Sequence, residues 1–132
     1  MSKMYIPVPL HVKRIVLRFA KNMEPISLTG KGRAVARHVQ VPTEQPPVGN
    51  TKHHYVVVLV SAGVADHELV HITHMLCDRA TTIMVVWVLA QMQAGNSALS
   101  ALRAFLEYCQ VDDDEYSIES AYRQFMRCKP DS

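Results

Sequence analysis

Tyr55 to Val60 (YVVVLV) is an unbroken apolar run in which four of the six residues are valine. β-Branched residues favour extended backbone, and a strand with no polar residue on either face has to be covered on both. The run therefore predicts a central strand. Val39 and Val41, or Ile6 and Val8, can supply its neighbours. With 132 residues the chain can bury one good core but not two. The expectation is a single domain over residues 1–132.

Tyr5 to Val8 reads as a short strand whose prolines confine it to an edge or to a strand's first residues. Leu10 to Met23 reads as a helix, because Val12, Ile15, Val16, Phe19 and Met23 recur at helical spacing. Pro25 ends it. Ser27 to Pro42 fits either a short helix or a strand around Arg33 to Val41, after a basic turn at residues 29–33. Residues 43–54 (TEQPPVGNTKHH) read as a loop, with adjacent prolines and a Gly-Asn pair.

Beyond Gly63 a long helix is expected. Leu69, Ile72, Leu76, Ala80, Ile83, Trp87 and Ala90 hold one stripe in phase, Asp66 is its expected N-cap, and Gly95 closes it. Thr81 to Leu89 (TTIMVVWVL) is apolar all round, so a buried strand is the rival reading there. A helical hairpin ends the chain. Asn96 or Ser97 caps one helix with Ala98, Ala101, Leu102, Phe105, Leu106 and Cys109 inward. Ser117 caps the other, with Ile118, Ala121, Tyr122 and Phe125 inward. The fold class is α+β: a small sheet around residues 55–60 and a mainly helical C-terminal half.

Hydrophobic residues make up 48% of the chain and charged residues 20%, a globular rather than a disordered balance. The N-terminus has no apolar signal core, and the longest apolar stretch, Ile83 to Ala90, is far short of the roughly 20 residues that span a bilayer. Cys77, Cys109 and Cys128 are odd in number and have no C-x-x-C spacing, so they read as reduced thiols. A cytoplasmic protein with no membrane segment and no cofactor is expected.

The small net charge of +2 conceals an asymmetry. Residues 1–54 hold nine Lys or Arg against Glu24 and Glu44, whereas residues 55–132 hold five against ten Asp or Glu. Residues 1–62 are thus a basic half and 63–132 an acidic, helical one. Such a split implies an electrostatic partner, either nucleic acid or the acidic half of this chain or of a second copy.

His11, Arg14, Arg18 and Lys21 line one helix face. Together Arg14, Arg18, Lys21, Lys31, Arg33 and Arg37 form a candidate phosphate-binding set that would not read sequence. The C-terminal hairpin offers a second candidate, because Arg123, Gln124 and Arg127 are the side-chain types that a recognition helix presents to base edges. The long connection from Gln110 to Tyr116 and the acids Asp112 to Glu115 argue against base reading there. Aromatic side chains interleaved with the cations are absent.

His67-Glu68-Leu69-Val70-His71 matches H-E-x-x-H, in which two His one helical turn apart hold zinc and the Glu activates water. A Gly expected three residues further on is His74, and a third His is Cys77. The bland alternative is a solvated face of His67, His71, His74 and Asp78, and no metal is expected. Gly30-Lys31-Gly32-Arg33 lacks the spacing of a phosphate loop.

The Ile6-Pro7-Val8 start, the basic helix and the C-terminal pattern of Ala101, Phe105, Asp112 to Glu115, Tyr122 and Arg127 resemble small proteins of bacterial prophages and conjugative elements. The resemblance implies a mobile-element accessory role. The leading expectation is a non-enzymatic protein that binds nucleic acid through its basic half, as a homo-oligomer. The alternatives are a zinc-dependent hydrolase using His67, Glu68 and His71, or a protein–protein interaction module with complementary charged ends.

Overall fold

A computed structural model describes residues 2–28, 37–45, 54–61 and 64–130. Four strands, β1 (Ser2–Pro7), β2 (Ile26–Leu28), β3 (Arg37–Gln40) and β4 (Tyr55–Val60), form one antiparallel sheet in the order β1-β4-β3-β2. β4 is an inner strand, as its apolar run requires, and Val56, Val57 and Val58 are fully buried. Both candidate neighbours are used. β1 pairs along the whole of β4, and β3 pairs at Val39↔Val60 and Gln40↔Leu59. The ambiguous segment before Pro42 thus resolves as a strand over its described part. The basic turn at residues 29–33 and most of the 43–54 loop lie outside the described residues.

Where β3 stops pairing, a side chain continues the ladder. Val57 donates its N–H to Gln45 Oε1 (2.8 Å), and Gln45 Nε2 donates to Val57 O (3.0 Å). Both buried polar groups of Val57 are thereby satisfied without a third residue of pairing.

All four helices serve one core. Met4, Ile6, Val39, Val56, Val58 and Val60 share the inner face of the sheet and join one cluster with the buried helix residues. Helix α1 (Leu10–Phe19) follows β1 and turns Val12, Ile15 and Val16 inward. It ends in a tight 3-10 turn over Ala20–Asn22, short of Pro25. Helix α2 (Leu69–Gln93) packs against α1, α3 and α4. Asp66 opens a 3-10 turn (Asp66–Glu68) and Glu68 takes the N-cap place, so α2 begins two residues later than the N-cap expectation implied.

The segment Thr81 to Leu89 is helical. Its buried line is Ile72, Leu76, Ala80, Met84 and Val88, with Val85, while Ile83 and Trp87 are partly covered and Ala90 is exposed. The expected stripe through Ile83 and Trp87 therefore drifts round the helix. The sequence is apolar on every side here, and the packing partners choose the side that faces in. By length and composition α2 is the one helix among the described residues able to cross a membrane. In this fold its buried side chains belong to the core.

Gly95, at φ +101°, ends α2 as expected. The Gly95 and Asn96 N–H groups return to Met92 O and Gln91 O, which satisfies the last carbonyls of the helix. The helical hairpin also forms as expected, as α3 (Ala98–Tyr108) and α4 (Ile118–Cys128). Ser97 and Ser117 cap them by accepting the Ser100 and Ser120 N–H groups. Tyr122 departs from its expected inward place: it is 39% exposed, and Ala121 and Phe125 carry the inner face of α4.

Candidate nucleic-acid interface

The basic face of α1 does not stand free. Arg14 donates from Nε and Nη2 to the two carboxylate oxygens of Glu115, at 2.7 and 2.9 Å. One turn earlier, His11 stacks on Tyr116 with ring centroids 4.0 Å apart and planes within 8°. One turn later, the Arg18 guanidinium lies 4.1 Å above the Tyr108 ring. Tyr108 in turn belongs to an aromatic group with Phe19, Trp87 and Phe105. Helical spacing puts the three α1 side chains on one face, and that face docks on α3 and the acidic connection after it.

This contact sets the local electrostatics. Burial pushes the His11 imidazole below its ordinary value, against the pull of the Glu115 carboxylate in the opposite direction. Burial raises the Tyr116 phenol, helped by Cys128 and opposed by Arg127. The Cys109 thiol is pushed up to about 12 by burial, with Arg18 opposing. A cavity of about 280 Å³ lies beside the stack, between α1, α2 and α4, and Cys77 and Thr81 contribute to its wall.

The other candidate residues separate into two groups. Lys21 is exposed in the 3-10 turn after α1, Lys31 and Arg33 lie outside the described residues, and Arg37 is the first residue of β3. On α4, Arg123 and Arg127 are exposed and Gln124 is half-buried. Of the acids before that helix, Asp112, Asp113 and Asp114 stay exposed, and Asp113 Oδ1 accepts the Ile118 N–H (3.3 Å). Carboxylates thus crowd the N-terminal end of α4, where a phosphate would have to approach.

The H-E-x-x-H residues are split between two kinds of turn. His67 and Glu68 lie in the 3-10 turn and His71 in the first turn of α2, and both His are exposed. Glu68 Oε1 accepts the Ala65 N–H at 3.4 Å. Among the described residues no group of three His, Cys, Asp or Glu side chains converges on a metal position.

A further surface escaped the sequence reading. With Met4 and Ile6 inward, strand alternation turns Lys3 and Tyr5 to the outer face of the sheet. Both are exposed, Tyr5 to 47%. Lys3 and Gln40 both stand opposite Leu59, so these three form one row across β1, β4 and β3. At the far edge a shallow recess of about 590 Å³ is lined by Glu24, Pro25, Ser27, His38 and Gln40. The alternation of residues 3–6 was the available signal, but the register that sets Lys3 and Gln40 in one row was not.

Compared with known proteins, the chain matches no family model, and no curated protein or solved structure shows significant similarity to it.

Proposed function

We propose that this protein is a non-enzymatic nucleic-acid-binding accessory protein that engages phosphates through its basic half. The observation that carries this reading is the cation excess left over after folding. Among the described residues Arg14 is matched by a carboxylate, whereas Lys3, Lys13 and Lys21 have no carboxylate within 4 Å. Lys31, Arg33 and Arg37 add three more cations to the same half. The resemblance to prophage and conjugative-element proteins agrees with such a role, and self-association through the opposite, acidic half is part of the proposal.

Two members of the original set take a different part in it. Arg14 and Arg18 hold α1 to the helical half, so the phosphate contacts fall to the remaining cations. The experiment is fluorescence anisotropy with a labelled duplex and a labelled single strand over a range of salt. Affinity should fall steeply with salt, at a log–log slope of about −0.9 per phosphate neutralised on a duplex and about −0.7 on a single strand. Lys21→Gln should weaken all sequences about equally and make the slope shallower by roughly one unit on a duplex. Relaxed sequence preference in Arg123→Ala would move the interface to α4. Absence of any binding at low salt would reject the reading.

The Arg14–Glu115 ion pair favours a second reading, in which the charge split serves contacts between protein segments. In that case the two charged halves would drive salt-sensitive self-association, visible in sedimentation without nucleic acid.

A further inference from the structure

We propose that the outer face of the sheet is a binding surface for single-stranded nucleic acid, with Tyr5 as the stacking residue and Lys3 and Gln40 as polar contacts. The inference rests on the nucleic-acid reading above and specifies both the surface and the strandedness of the ligand.

The helices cover one face of the sheet, and the residues of opposite parity face away from them. On β1 these are Lys3 and Tyr5, and on β3 they are His38 and Gln40. The register sets them close together. Tyr5 is opposite Val57, Lys3 is opposite Leu59, and Gln40 is opposite Leu59 from the other side. With strands about 4.8 Å apart, Lys3 and Gln40 are separated by roughly 10 Å across the row. Tyr55, half-buried, is the diagonal neighbour of Tyr5 across the β1–β4 pair. Val57, on the same face and opposite Tyr5, is fully buried, so the face is covered there, and Tyr5, Lys3 and Gln40 stand exposed around it.

The chemistry of this surface matches an unpaired strand better than a duplex. A solvent-exposed aromatic ring on a sheet offers a π-face to any base, whereas in a duplex the base faces are already stacked. On such a sheet each exposed aromatic side chain stacks one base, and Tyr5 offers one such ring. Lys3 supplies a cation beside the ring, and Ser27, His38 and Gln40 supply hydrogen-bonding groups one or two strands away. Ser27 Oγ and His38 Nδ1 already lie 3.5 Å apart. The residues of this face carry no carboxylate along β1, β3 and β4. Glu24 stands on the rim of the recess at the β2 edge and limits the ligand path on that side.

The test uses the full chain with a labelled oligothymidylate of about ten nucleotides and a labelled duplex of equal length in the same buffer. The expected result is tighter binding of the single strand, with Tyr5→Ala weakening it about tenfold and Tyr5→Phe retaining it within about twofold. Lys3→Gln should make the single-strand salt slope shallower by about 0.7. Gln40→Glu places a carboxylate on the face without touching the core, and it should weaken single-strand binding several-fold at low salt. Thermal melts of each variant report whether the fold is retained. Single-strand binding unchanged in both Tyr5→Ala and Gln40→Glu would overturn this inference and leave the general nucleic-acid reading intact. Failure of both oligonucleotides to bind the wild-type chain would overturn the general reading itself.

Discussion

Arg14 and Glu115 lie 101 positions apart in the chain and meet through two parallel hydrogen bonds, from Nε and Nη2 to the two carboxylate oxygens. A planar guanidinium paired with both oxygens of a carboxylate holds orientation as well as charge. The pair therefore fixes how α1 sits against the connection between α3 and α4. The flanking contacts, His11 on Tyr116 and Arg18 on Tyr108, extend the same seam.

The seam makes a prediction for stability. The Glu115 side chain is mostly covered, whereas that of Arg14 is 37% exposed, so water screens part of the attraction. Arg14→Ala and Glu115→Ala should each lower the unfolding free energy by about 1 kcal/mol, and the double variant should lose little more than either single. Urea denaturation of the four proteins measures this coupling. Additive losses would mean that the two side chains do not act as a pair.

His11 should give the seam a pH dependence. Burial holds its folded-state pKa below the ordinary value of 6.5. Well above pH 6.5 the ring is neutral in both the folded and the unfolded chain, and it contributes no slope. Below that value the unfolded chain takes up the proton first, so stability falls as pH drops from 6.5 towards the depressed folded value. His11→Phe keeps a ring against Tyr116 but cannot titrate. Its urea midpoint should fall less between pH 7 and pH 5 than that of the wild type. An equal or larger fall in the variant would place the acid sensitivity elsewhere.

The three cysteines should differ in reactivity. Cys109 is buried with its thiol pushed up to about 12, Cys77 is half-buried with its thiol raised by burial and by Asp78, and Cys128 is exposed. The thiolate is the reactive form. Iodoacetamide at pH 8 should therefore modify Cys128 first, Cys77 more slowly, and Cys109 only after denaturant is added. Peptide mass spectrometry resolves the order. Rapid labelling of Cys109 in the native protein would show that the α3 end opens.

Much of the fold was legible because its signals are local. Six apolar residues, four of them valine, made Tyr55 to Val60 an inner strand wherever its partners lay. Ser97, Ser117 and Gly95 mark helix ends through contacts within a few residues of themselves. Ala101, Leu102, Phe105 and Leu106 repeat at the period of a helix, so their shared face needed no knowledge of what covers it.

The tertiary structure alone decided which way the less patterned parts face. Thr81 to Leu89 is apolar on all sides, and packing against α1, α3 and α4 leaves Met84, Val85 and Val88 buried and Ile83 and Trp87 partly covered. The Arg14 and Arg18 side chains lie on a face that the sequence marks as basic. Whether that face meets solvent or Glu115 and Tyr108 depends on how α1 docks on the helical half. Lys3, Tyr5 and Gln40 come together through strand register alone. Periodicity reports which residues share a face of one element. The face of another element that meets it is set by the shape and charge of residues up to a hundred positions away.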